Sequence, residues 1–167
     1  MFKTSTFVLL LLSAIAAHAE QIGFQTITLD WPDGYQSTVG DDKIHMAGPN
    51  GEEVTIVQFS LDEGTSDEEA RAKTDTLRQY AETEMPKTAH EQGSTIVRDL
   101  KKTDFDDRHT LYSMISQHMD GDAQKYLIEY FLVGVKGGAY FSIVGNGDAT
   151  AGIATFDPVF AGVQWKE

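Results

Sequence analysis

Apolar positions change period twice along this chain, and those changes mark out its elements. Residues 23–29 (GFQTITL) are rich in Thr, Ile and Phe and lead into Trp31-Pro32-Asp33-Gly34. There proline fixes φ and Asp-Gly accepts a tight bend, so the chain opens with a strand that ends near Asp30. Residues 43–47 predict a second short strand and 53–61 (EVTIVQFSL) a third. The turn Gly48-Pro49-Asn50-Gly51 joins them as a hairpin.

The period then lengthens. Ser66 and Glu69 have the spacing of a capping box, in which the Ser hydroxyl accepts a first-turn amide proton and the Glu side chain reaches back. A helix therefore starts at Asp67. Ala70, Thr74, Leu77, Ala81 and Met85 recur every three or four residues as one apolar stripe, with Arg71, Arg78, Glu82 and Glu84 largely off it. Pro86 is expected to end this helix, because the residue before a proline is pushed out of the α region. Such a helix can cover one face of a sheet.

After a polar stretch over 88–94, residues 95–102 and 108–119 read as a second hairpin around the acidic turn Asp104-Phe105-Asp106-Asp107. Asp120-Gly121-Asp122 leads to residues 124–135, a Lys136-Gly137-Gly138 turn, and residues 139–144. In this last pair both alternating sets are apolar or aromatic: Tyr126, Ile128, Tyr130 and Leu132 on one side, Leu127, Phe131 and Val133 on the other. Strands apolar on both faces are covered on both faces, so these predict central strands with helices above and below. Asp157-Pro158 has the chemistry of a helix start. Phe156, Val159, Phe160 and Val163 lie on one side of the short helix it predicts, which is preceded by another turn from Thr150 and ends near Trp165. The expected class is α+β: a central antiparallel sheet flanked by helices on both faces.

The N-terminus changes the address. Lys3, the apolar run 7–12 and Ala17-His18-Ala19 form a basic n-region, a short h-region and an A-x-A cleavage site, so 1–19 reads as a signal peptide and 20–167 as a single domain. The apolar run ends by about Ala17, short of the roughly 20 residues that span a bilayer. The expected location is the periplasm or the exterior, in soluble form after cleavage. A cysteine count of 0 excludes a disulfide framework, a thiol nucleophile, a thiolate metal site and a lipid-bearing N-terminal cysteine. The domain must hold together by packing, for which 41% hydrophobic residues supply a core.

The chain carries 13 basic and 26 acidic residues; removing Lys3 with the leader leaves 12 basic residues and a net charge of −14. That sign repels phosphate backbones and anionic headgroups and attracts cations or basic protein surfaces. Nucleic acid is not an expected partner, and no membrane anchor is expected after cleavage.

The segment 144–148 (VGNGD) follows a strand, yet Thr150 stands where a dinucleotide loop needs its third glycine, and the acid about 20 residues on cannot exist before Glu167. It reads as a hairpin-exit turn. No P-loop, nucleophile elbow or H-E-x-x-H occurs. Asp104, Asp106 and Asp107 are the metal candidates, since a hard cation such as calcium or manganese wants several oxygens. His109 and Ile115 break the EF-hand pattern, however, and Asp120 and Asp122 belong at the opposite sheet edge. His45, His90, His109 and His118 read as surface or strand-edge residues, and Ser66 as a cap. Tyr112, Tyr126, Tyr130, Phe131, Tyr140 and Phe141 serve either core packing, the commoner use of such residues, or a ligand groove. No catalytic residue and no cofactor is expected.

The strand running into Trp31-Pro32-Asp33-Gly34-Tyr35, the Gly48-Pro49-Asn50-Gly51 hairpin, the capped central helix, and the paired strands before a final Phe160…Trp165 helix resemble the PsbP-like and DcrB-like proteins over about residues 22–165. Tyr35 stands where a Trp is common there and Trp165 where a Phe is. Bacterial relatives are often lipoproteins, which a chain without cysteine cannot be. The resemblance implies an α/β/α sandwich used for binding and assembly, with partners as different as a photosystem and a small GTPase, and it does not transfer a partner. The resulting expectation is an exported, non-enzymatic binding protein that recognises another protein, a basic one being favoured by the acidic charge, in an accessory or inhibitor/immunity-type role. The alternative is a periplasmic small-ligand or divalent-cation binding protein acting through the acidic turns.

Overall fold

A computed structural model describes residues 20–23, 26–39, 43–62 and 64–166. The expected leader, 1–19, lies outside the described residues. Strands β1 (Glu20–Gly23), β2 (Ile27–Trp31), β3 (Gln36–Val39), β4 (Lys43–Ala47) and β5 (Glu53–Ser60) precede helix α1 (Asp67–Glu91). Then come β6 (Thr95–Asp104), β7 (Thr110–Asp120), β8 (Ala123–Gly134), β9 (Gly137–Asn146), α2 (Thr150–Ala161) and β10 (Gln164–Trp165). Seven strands form one sheet in the order β3-β4-β5-β9-β8-β7-β6, every pair antiparallel. The expected α+β class holds, with the two-sided strands β8 and β9 at the centre.

The alternation along β8 divides the interior into two cores. Tyr126, Ile128, Tyr130 and Leu132 face the layer built by α2 and β2, against Trp31, Phe156 and Phe160. Phe131 and Val133 face α1, against Ala81, Met85 and Ala89. Trp31 is 1% exposed and contacts Tyr35, Phe141, Phe156 and Phe160. The six aromatic residues that left packing and groove open are split between the cores: Tyr126, Tyr130 and Phe141 on the α2 side, Tyr112, Phe131 and Tyr140 on the α1 side.

Several boundaries differ from those the sequence pattern predicts. The opening segment is two strands, β1 and β2, paired antiparallel with Ile22 opposite Leu29, and they belong to a separate three-stranded sheet with β10. Trp165 is accordingly a strand residue opposite Ile27 and does not end a helix. Helix α1 runs through Pro86 to Glu91, because Met85 and Ala89, one turn apart on either side of the proline, both bury against the sheet. Helix α2 begins at Thr150, whose amide donates to Asp148 Oδ1 at 2.7 Å, and Asp157 and Pro158 lie within it. The segment 144–148 ends β9 and leaves the β8–β9 hairpin as expected, through a turn at Gly147, φ +82°, that leads into α2. Ser66 does cap α1, accepting from the Glu69 amide at 3.3 Å, while the Glu69 carboxylate pairs with Lys73.

Candidate functional site

The acidic turn between β6 and β7 is internally bonded. Asp106 Oδ1 accepts the amides of Arg108 and His109 at 2.7 and 2.8 Å, and Asp106 Oδ2 lies 2.9 Å from His109 Nδ1. The His109 hydrogen bond, aided by the backbone, draws the Asp106 carboxyl down to about 2. Asp104 Oδ1 accepts from the Thr110 hydroxyl at 2.9 Å. Asp107 points into a separate cleft. Asp120 pairs with Lys125 at 2.6 Å at the other end of β7, an eleven-residue strand about 35 Å long. Among the described residues no three His, Cys, Asp or Glu side chains are grouped to hold a metal ion.

His109 has the carboxylate neighbour that an acid–base role requires. Its ring, however, stacks on Trp165 with centroids 4.3 Å apart and lies outside the cleft lining. His45 bonds Thr55 across β4 and β5, and His90 is exposed in the last turn of α1.

The partly and fully buried ionisable groups are likewise engaged. Both Asp157 oxygens bond the Arg98 guanidinium, at 2.7 and 2.9 Å, and the Tyr130 hydroxyl donates to the same carboxylate. Tyr130 in turn stacks on Phe160. Glu129, buried on the α1 side, accepts from the Tyr140 hydroxyl; desolvation raises its pKa above the ordinary value. Glu52, also buried, accepts the Asn50 amide at 3.0 Å.

One open cleft, of about 940 Å³, lies where the first three turns of α1 meet Leu61, Asp62, Gly64 and Thr65 and the β6–β7 and β8–β9 turns. Antiparallel pairing places both hairpin turns at the same end of the sheet, and the Leu61 amide bonds the Lys136 carbonyl there. Arg71 and Arg78, about 10 Å apart along α1, face the cleft together with Arg108 and Lys136. Three of the four arginines of this acidic chain line it. Arg78 is fixed: it bonds Asp75 at 3.0 Å and the Arg108 carbonyl at 2.9 Å. Arg71, Arg108 and Lys136 carry no side-chain hydrogen bond or ion pair among the described residues. Asp62, Asp67, Asp75 and Asp107 are interleaved with these cations.

On the α1 side of the sheet, Phe59 and Tyr80 remain 37% and 52% exposed while both touch the buried ring of Phe131. Sequence reading places Arg71 and Arg78 off the apolar stripe and Arg108 and Lys136 in turns, and it does not join them. The seven-residue spacing of the two helix arginines was the available signal.

Layers, sheet order and site together define the chain as an α+β sandwich with an open charged cleft at one end of its sheet. No family model matches the chain, and neither does any curated protein. Among solved structures it is similar to cyanobacterial PsbP (CyanoP) from Synechocystis, determined in solution, with a TM-score of 0.58 and 11% identity over 92% of this chain and 96% of that one. A structure from Bacteroides thetaiotaomicron aligns with a TM-score of 0.43 and 9% identity over 84% of this chain and 45% of that one. The fold is PsbP-like. No described helix is long and apolar enough to cross a membrane.

Proposed function

We propose that this is an exported, non-enzymatic binding protein that recognises another protein, in an accessory or inhibitor role. The observation that carries the reading is the exposed aromatic pair Phe59 and Tyr80, both resting on the buried ring of Phe131. Aromatic and arginine side chains together are what protein interfaces enrich and concentrate their binding energy in. Two further features support it. The fold is shared with PsbP from Synechocystis, and the buried acids Glu129 and Glu52 are tied into local hydrogen bonds rather than converging on a pocket.

Affinity capture on the immobilised exported chain from a periplasmic extract, in low and in high salt, tests the proposal. The expected result is a partner retained by the parent protein and lost from Phe59→Ala/Tyr80→Ala. No partner at either ionic strength would overturn it.

A further inference from the structure

Helix α1 covers only part of its side of the sheet. It packs on β6, β7, β8 and β9, and beyond them the same face is open, with Val57 half-buried and Phe59 and His45 exposed. Glu129 lies where the covered part gives way to the open one. It shares a face of β8 with Phe131, stands opposite Ser142 on β9, and Ser142 stands opposite Thr55 on β5. Only 7% of Glu129 is exposed, and the Tyr140 hydroxyl is the one hydrogen-bond partner of its carboxylate among the described residues.

No described cation pairs with that carboxylate. Lys125, four residues back along β8, is taken by Asp120, and Lys87 of α1 by Glu84. Lys43 and His45 on β4 are three strands away, about 14 Å at the usual strand spacing. A buried carboxylate without a counter-charge is unfavourable, and a cation brought against it from outside relieves this. Aromatic rings frame the same place. Tyr140 and Tyr80 each meet the Phe131 ring edge-on, at 5.9 and 6.3 Å, and Tyr80 is close enough to Tyr140 to raise its pKa. Ring faces attract cations.

We propose that Glu129 anchors an arginine side chain of the partner, with the guanidinium on the carboxylate and against Tyr80 and Tyr140, and the flanking partner residues over Val57 and Phe59. This rests on the protein-binding reading above and names its contact chemistry. A guanidinium is planar, weakly hydrated and stacks on rings, which suits a partly buried pair. A hard metal ion wants about six oxygens, and no second and third acid join Glu129 among the described residues. The net charge of −13 draws a basic surface toward the chain, and Glu129 fixes where one of its charges lands.

The test is fluorescence anisotropy of a labelled Gly-Ser-Phe-Arg-Phe-Ser-Gly peptide on the exported chain. A control peptide carries Gln for Arg, and argininamide and calcium serve as competitors. The Arg peptide should bind saturably, and Glu129→Gln should weaken it about thirtyfold or more. Glu68→Gln, which removes the same charge about 18 Å from Tyr80 along α1, should leave binding unchanged. Tyr80→Leu, at an exposed position, should weaken binding about two- to fivefold, and it decides the matter if Glu129→Gln fails to fold. No saturable binding of the Arg peptide, equal binding of the Gln peptide, or equal binding by parent and Glu129→Gln would overturn the proposal. So would displacement by calcium, or by argininamide as effectively as by unlabelled peptide. The capture experiment separates the two readings. A partner retained equally by the parent and Glu129→Gln leaves protein recognition standing and removes Glu129 from it.

Discussion

Arg98 on the edge strand β6 and Asp157 on α2 are 59 positions apart, and both terminal guanidinium nitrogens of one meet both carboxylate oxygens of the other. This two-pronged contact, joined by Tyr130, fastens the second helix to the far edge of the sheet.

Asp157→Ala should therefore lower stability by about 1–2 kcal/mol, the lower part of the range for a broken ion pair, because Asp157 stays 39% exposed. The Arg98 hydrogen bond holds the Asp157 carboxyl below its ordinary value. A depressed folded pKa gives stability that is present above the unfolded value of about 3.9 and lost as pH falls through the folded one. Urea unfolding of parent and variant should differ at pH 7 and converge in acid. A pH-independent difference would point to packing and not to the ion pair.

Glu129 has the opposite sign. Burial raises its folded pKa above the ordinary value of 4.5, so the folded state binds the proton more tightly than the unfolded chain does. Stability then declines as pH rises from about 4.5 toward the folded value. Glu129→Gln keeps an acceptor for Tyr140 without the buried charge. It should unfold at higher urea than the parent at pH 7, with the difference vanishing near pH 4. A less stable variant at pH 7 would show that the ionised form is favoured in place.

Pro86 sits inside α1 without the amide hydrogen that would reach the Glu82 carbonyl. Pro86→Ala should stabilise the domain by about 1 kcal/mol, read as a rise of about 2–4 °C in Tm. An unchanged or lower Tm would mean that the bend proline imposes is needed to seat Ala89 on the sheet.

Asp106 already accepts two amides and the His109 ring. Calorimetric titration with calcium, manganese and zinc should accordingly give no saturable heat. A site lost on Asp106→Ala would establish the cation-binding alternative for the acidic turn.

The candidate site was the least legible part of the sequence. Arg71 and Arg78 share one side of a helix whose start Ser66 announces, but Arg108 and Lys136 join them only because two hairpins turn at the same end of the sheet. Asp157 was misread for a related reason. Asp-Pro is helix-start chemistry locally, and nothing nearby reveals that Arg98 waits across the sheet for the carboxylate.

What the sequence determined by itself is what local chemistry decides: the strand period and two-sided apolar character of 124–144, the GPNG hairpin, the start of α1 and the division of β8 into two core-facing sets. These follow from side-chain size, backbone freedom and alternation, which act between near neighbours. Only the tertiary structure decided that the opening strands leave the main sheet, with β2 pairing to Trp165, that α1 and α2 run through their prolines, and which charges meet. In each of those cases burial of distant surfaces, such as Met85 and Ala89 on one face and Trp31 on the other, outweighs a local preference worth only a few kcal/mol.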